Sequence, residues 1–190
     1  MKKAREIHIP DDRPLTWDEF VDFRDHAYNS SSWYATEFSR TSEEILDKLE
    51  RKGYPRGEVF YIDDEGNEAF FDIGEWVLEK LRDYYLIDDE ALARRVVERE
   101  LQNGRGSQWI ITKLTQRGIE RDFILDLLDE LKTEDATIEA VSLIAHRYMN
   151  TSTYLKQPSE FKKKQKLVAH ILSKGFSFND ISNWENSLEE

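Results

Sequence analysis

The sequence predicts an all-α protein: tandem three-helix repeats, three units in an elongated, curved array, with a small β-hairpin inserted in the first unit. Three observations carry this. Three segments align: ILDKLERKGY from Ile45, IITKLTQRGI from Ile110 and LVAHILSKGF from Leu167. Each has apolar residues at its first, second and fifth positions, Lys or Arg at the eighth, Gly at the ninth and a large apolar residue at the tenth. The spacing 0, +1, +4 is one face of a helix. Gly53, Gly118 and Gly175 then mark left-handed helix stops, each preceded by a cation near the negative end of the helix dipole. The segments around each core are helical in pattern, and the β-prone runs of EVFYIDDEGNEAFFDI flank a turn sequence.

In chain order, residues 1–31 form an N-terminal extension with an amphipathic helix through Trp17, Phe20, Val21, Arg24 and Tyr28, interrupted by the NSSS at 29–32. Residues 32–87 form the first unit. It has a short helix from Trp33 to Phe38, a capping box of Thr41 with Glu44, the hairpin near 58–73 and a helix in GEWVLEKLRDYY. Two strands alone are marginal, so the hairpin must pack on helices or stay mobile. Residues 88–132 form the second unit: Asp88 caps a helix that stops at Asn103-Gly104, and the unit's last helix aligns Phe123, Ile124, Leu127, Leu128 and Leu131. Residues 133–190 form the third, with Val141, Ile144 and Tyr148 in register and a Ser177/Asp180 capping box.

With 190 residues the chain can bury roughly 70% of its unfolded surface. It has no cysteine, which excludes disulfides and thiolate metal sites and suits a reducing compartment. The N-terminus, MKKAREIHIPDDRPLTW, lacks the apolar core of a secretion signal, and no run reaches the ~18 apolar residues of a membrane span. The expected location is the cytoplasm, with no membrane contact.

The net charge of −12 is unevenly placed. Residues 1–90 hold 12 Lys and Arg against 24 Asp and Glu, and residues 91–190 hold 15 of each. Within the second half, residues 94–121 carry Arg94, Arg95, Arg99, Arg105, Lys113, Arg117 and Arg121 against three acids. A second run contains Lys162, Lys163, Lys164 and Lys166. These eleven cations are the candidate contact residues, because neighbouring helices of one sign can meet phosphate or an acidic protein groove.

Catalysis finds no such support. Gly104-x-Gly106 follows a helix and lacks the third glycine of a dinucleotide loop, so it reads as a helix-to-helix turn. His8, His26, His146 and His170 form no i, i+3 or i, i+4 pair. Asp88-Asp89 stands where a helix cap is needed. We expect no catalytic residues, cofactor or metal.

The stretch YLIDDEALARRVVERELQNGRGSQWIITKLTQRGI closely resembles the central block of the RecX family, bacterial regulators of the RecA recombinase. KKKQKLVAHILSKGFSFNDI resembles the family's C-terminal block and RTSEEILDKLERKGY its N-terminal block, so the likeness spans about residues 32–188. It implies a non-enzymatic helical protein that lies along the RecA–DNA filament, limits its extension and lowers recombinase and ATPase activity. The implied partners are RecA and the RecA–ssDNA filament, with weak direct DNA binding by a monomer. Ser107, Leu92 and Glu100 stand where the family often has proline, phenylalanine and arginine, and the hairpin is extra. The acidity of the first half weighs against DNA contact there and leaves contact with RecA itself. The competing readings are a helical nucleic-acid binder, whose binding would fall steeply with salt, and an adaptor for another protein.

Overall fold

A computed structural model describes residues 9–10 and 13–188, so His8 and most of the charged N-terminal stretch lie outside the described residues. Among them are ten helices and one two-stranded antiparallel sheet. The chain divides into two compact units, Met1–Leu92 and Ala93–Glu190.

In the first unit, α1 runs from Trp17 to Glu37, opened by a capping box in which Thr16 and Glu19 satisfy each other's backbone N–H groups. The expected interruption at 29–32 does not occur, and α1 passes residues 31 and 32 unbroken. Its buried stripe is Phe20, Phe23, Ala27, Ser31 and Ala35, so Ser31 falls on the inward face at helical spacing and is fully buried. Ser30 and Ser32 donate their hydroxyls to the carbonyls of Ala27 and Asn29, both at 3.2 Å. The serines thus continue the helix, with a narrow side chain where Ala27 and Ala35 are also small.

Helix α2 (Ser42–Arg51) begins at the Thr41/Glu44 capping box. Strands β1 (Glu58–Ile62) and β2 (Glu68–Asp72) pair with Phe60 opposite Phe70, and α3 (Ile73–Asp83) follows directly. The hairpin is packed. Leu15 bridges onto β1 through its N–H to the Phe60 carbonyl (3.0 Å) and the Ile62 N–H to its own carbonyl (2.9 Å). Tyr61 stacks on Phe20 at 3.9 Å, and Phe71 meets Phe20 edge-on at 5.2 Å. These rings join the core of Ile45, Leu49, Ile73, Val77 and Leu81.

Both aspartates of the Asp88-Asp89 pair serve helix ends. Asp88 accepts the Ala91 N–H at 2.8 Å and caps α4 (Asp89–Gln102), while Asp89 accepts the Ser42 N–H at 2.9 Å at the start of α2.

The second unit contains most of α4, then α5 (Ser107–Thr115), α6 (Arg121–Leu131), α7 (Glu134–Met149), the single turn α8 (Ser152–Leu155), α9 (Glu160–Ser173) and α10 (Phe178–Ser187). The α8 turn, capped by Thr151, was not expected. Val141, Ala145, Leu167, Ile171, Phe176, Ile181 and Trp184 form one core cluster. Ser177 and Asp180 make the expected capping box, and Asp180 also accepts the Lys132 ammonium at 2.8 Å.

The helix stops agree with the aligned pattern: Gly53, Gly118 and Gly175 have φ of 92°, 80° and 91°. After α5 the Ile119 N–H reaches the Leu114 carbonyl and the Gly118 N–H the Thr115 carbonyl, the paired bonds of a left-handed cap. Among the described residues no helix is long and apolar enough to cross a membrane, and no three His, Asp or Glu gather to hold a metal.

Candidate functional site

The cations of the second unit are arranged by one acidic residue. Along α4 the buried positions Ala93, Val96, Val97 and Glu100 follow helical spacing, which puts a carboxylate on the inward face with its side chain 7% exposed. An unpaired charge there would cost several kcal/mol. Lys113 of α5 donates to Glu100 Oε1 at 2.8 Å, and Arg99 Nη2 does so at 3.1 Å. Burial raises the Glu100 pKa, and these two cations more than reverse the effect, holding it below the usual carboxylate range.

Trp109, one turn before Lys113, is the second organising residue. The Lys113 ammonium lies 4.6 Å from its ring centroid and the Arg105 guanidinium 4.8 Å. Such contacts are worth about 0.5–1 kcal/mol at exposed positions. An open groove of about 380 Å³ runs beside the indole, lined by Gln108, Thr112, Lys113, Gln116 and Leu172 among others. Arg99 on α4, Arg105 in the turn that follows and Lys113 on α5 therefore converge on Glu100 and Trp109.

The other candidates are placed less tightly. Arg94 makes a bidentate pair with Glu130 at 2.7 and 2.8 Å, leaving that carboxylate below its usual pKa. Arg95 is exposed and Arg117 half-buried. Arg121 is exposed at the first position of α6, where a cation opposes the helix dipole. On α9, Lys163 pairs with Glu160 at 2.6 Å and Lys164 with Glu185 at 3.0 Å. Lys162 and Lys166 are exposed and form no ion pair among the described residues. Sequence reasoning missed Trp109 and the role of Glu100. An aromatic residue four positions before a lysine on one helix was the available signal for the first.

No protein-family profile matches the chain. It is 26% identical over 162 residues to the regulatory protein RecX of Clostridium perfringens (strain 13 / Type A), covering 85% of this chain and 66% of that protein. It is 26% identical over 190 residues to the regulatory protein RecX of Bacillus subtilis (strain 168), covering 100% of this chain and 64% of that one. A crystal structure of regulatory protein RecX superposes with a TM-score of 0.70 at 27% identity, over 88% of this chain and 75% of the other. The chain is similar to RecX proteins in both sequence and fold. RecX from Lactobacillus salivarius shares the fold, with a TM-score of 0.70 over 89% of this chain and 98% of that one. The chain spans just under two thirds of the length of the two relatives named. Its mostly helical architecture with one small hairpin matches the RecX structures.

Proposed function

We propose that this chain regulates the RecA recombinase by binding RecA or its filament on single-stranded DNA, slowing ATP hydrolysis and strand exchange without catalysing a reaction itself. The observation that carries this reading is a likeness to regulatory RecX proteins that extends over the whole chain and includes the fold. The contact surface is assigned to the cations of the second unit, with Arg105 and Lys113 set on Trp109. In this reading it acts as a monomer in the cytoplasm, in DNA repair, recombination and the SOS response, where RecA filaments form.

The test is ssDNA-dependent ATP hydrolysis by the cognate RecA, titrated with the purified chain. Reversing Arg99 or Lys113 would set a second carboxylate against Glu100 and so measure folding. Arg105→Glu, Arg121→Glu, Lys162→Glu and Lys166→Glu together leave the ion pairs described above intact. Wild type should slow hydrolysis, and the fourfold variant should need roughly tenfold more protein for the same effect at unchanged helicity, as expected when several phosphate or carboxylate contacts are lost. No inhibition by excess wild type would refute the RecA reading.

A further inference from the structure

The three aligned helices share one more feature. Their fourth positions are Lys48, Lys113 and His170, and their eighth are Lys52, Arg117 and Lys174. Residues four apart on a helix are neighbours, and like charges there are unfavourable by about 0.2–0.5 kcal/mol. Each fourth-position side chain also lies on an aromatic ring. The Lys48 ammonium is 3.9 Å from the Tyr34 centroid and 5.7 Å from that of Trp33; Lys113 is 4.6 Å from Trp109; His170 stacks on Tyr148 at 4.1 Å and 10°. The rings come from a preceding helix in the first and third cases and from the same helix in the second. The arrangement therefore recurs without a shared local sequence.

The first of these lies in the acidic half of the chain, where a positive cluster is least expected. Lys48 donates to the Ser30 carbonyl at 2.7 Å. Burial lowers its pKa, and Lys52, Arg40 and Arg51 lower it further, to about 8. Arg40 lies between Tyr34 (4.2 Å) and Phe38 (4.9 Å), reaches Glu44 only at 4.0 Å, and its buried Nε has no hydrogen-bond partner among the described residues. Trp33 and Phe38 are 63% and 57% exposed beside it. A single lysine on a ring is explained by cation–π attraction. That attraction does not explain why further cations gather round the lysine in a region with twice as many acids as bases. Electrostatically unfavourable clusters of this kind mark binding sites for the opposite charge.

We propose that Lys48, Lys52 and Arg40, with Trp33 as a stacking surface, bind the phosphodiester backbone of single-stranded nucleic acid, and that Lys113 and Arg117 beside Trp109 form the equivalent contact in the second unit. The exposed indole of Trp33 beside Lys48 favours a nucleic acid over an acidic protein, because bases stack on aromatic rings whatever their sequence and a carboxylate-bearing peptide leaves the ring unused; Trp109, beside Lys113, is half-buried and offers a smaller stacking surface. At the third position burial and Lys174 hold His170 below its usual pKa, so it is uncharged at neutral pH and is left out of the assignment. The inference goes beyond the RecA reading and does not require RecA.

The experiment is fluorescence anisotropy of dye-labelled oligo(dT) with the full chain, without RecA, across a salt series. Single-strand binding loses about 0.7 in the slope of log K against log salt for each phosphate contact removed. Lys48→Gln with Lys52→Gln should weaken binding about tenfold and reduce the slope by about 1.4. Lys52→Gln alone changes only an exposed side chain and should reduce the slope by about 0.7. Lys80→Gln, an equal charge change on α3, should leave both unchanged. Trp33→Ala should weaken binding with the slope intact. Unchanged affinity and slope in the double variant and in Lys52→Gln would overturn the proposal, as would poly-glutamate binding as tightly as oligo(dT) at equal charge. RecA ATPase assays on the same proteins separate the two readings: absent inhibition with oligo(dT) binding retained refutes only the RecA reading.

Discussion

Replacing Gly106 with alanine should be among the most damaging single-methyl additions to this chain. Gly106 has φ of −75°, which alanine adopts freely, so backbone strain contributes nothing. A Cβ built there would lie 2.1 Å from the Gly175 carbonyl carbon, 2.2 Å from its oxygen and 2.2 Å from the Phe176 nitrogen. These are backbone atoms, and no rotamer change relieves the contact. The two chain segments are held by the Gly106 N–H to the Lys174 carbonyl and the Gln108 N–H to the Gly175 carbonyl, both 3.0 Å. Separating them costs about 1 kcal/mol for each bond lost, and the overpacking adds about 1–3 kcal/mol. A total of about 3–5 kcal/mol lowers the melting temperature by roughly 6–20 °C in a chain of this length. Gly66→Ala is the control. Its φ is +87° and no atom lies within 4 Å of its Cβ, so it carries only the backbone penalty of about 1 kcal/mol. Thermal unfolding followed by circular dichroism reads both. If Gly106→Ala melts within 2 °C of wild type, or no lower than Gly66→Ala, the close approach of Gly106 to Gly175 is wrong.

Three further outcomes are expected. Tyr85 is a non-glycine residue at φ 56° with its side chain 94% exposed, so Tyr85→Gly should stabilise the chain by about 0.5–1 kcal/mol, measured by urea unfolding, as relief of the left-handed conformation outweighs the added freedom of the unfolded chain. Lys132→Met leaves the Asp180 carboxylate, 10% exposed, without its ammonium and should cost about 2–3 kcal/mol at pH 7. The Asp180 pKa is raised by burial, but Lys132 and Ser177 more than offset this and bring it below the ordinary value. A depressed folded pKa gives stability that is complete above the unfolded value near 4 and is lost as pH falls through the folded one. The gap between wild type and Lys132→Met in urea midpoints should therefore shrink below about pH 4; a constant gap down to pH 2.5 would show that the ion pair is not its source.

What was legible in the sequence was local. The Thr41/Glu44 and Ser177/Asp180 boxes and the three glycine stops depend on residues a few positions apart, and each occupies its expected place. The hairpin was legible for the same reason. What was missed depends on neighbours in space. Four polar residues at 29–32 resemble a break, yet Ser31 lies on the buried stripe of α1 and its neighbours return hydroxyls to the helix. Gly106 looked like turn chemistry, and its requirement is set by Gly175, far along the chain. Charge runs located the cations in the sequence but not their partners: Arg94, Arg99, Lys113, Lys163 and Lys164 are all ion-paired. The Lys48 cluster was hidden because regional net charge averages over both faces of every helix.

Glu100 shows how a departure from the family's pattern changes the site. A carboxylate sits buried between Arg99 and Lys113, where the resemblance to the RecX family implies an arginine. A cation at this position would bring three positive groups together on a partly buried face and push the Lys113 ammonium toward solvent. The carboxylate instead fixes that ammonium at 2.8 Å while it rests over Trp109 at 4.6 Å. The long lysine side chain is thereby ordered before any partner arrives, which lowers the entropy lost on binding by about 0.5–1.5 kcal/mol. The same residue removes two units of charge from the surface relative to arginine, so long-range attraction is weaker and more easily screened. Glu100→Gln keeps a hydrogen-bonding side chain of the same size and separates these effects. It should speed association with an anionic partner at low salt, and it should also speed dissociation, because Lys113 is no longer held. Stopped-flow measurement of both rates decides the matter, and an unchanged dissociation rate would show that Glu100 serves the fold alone.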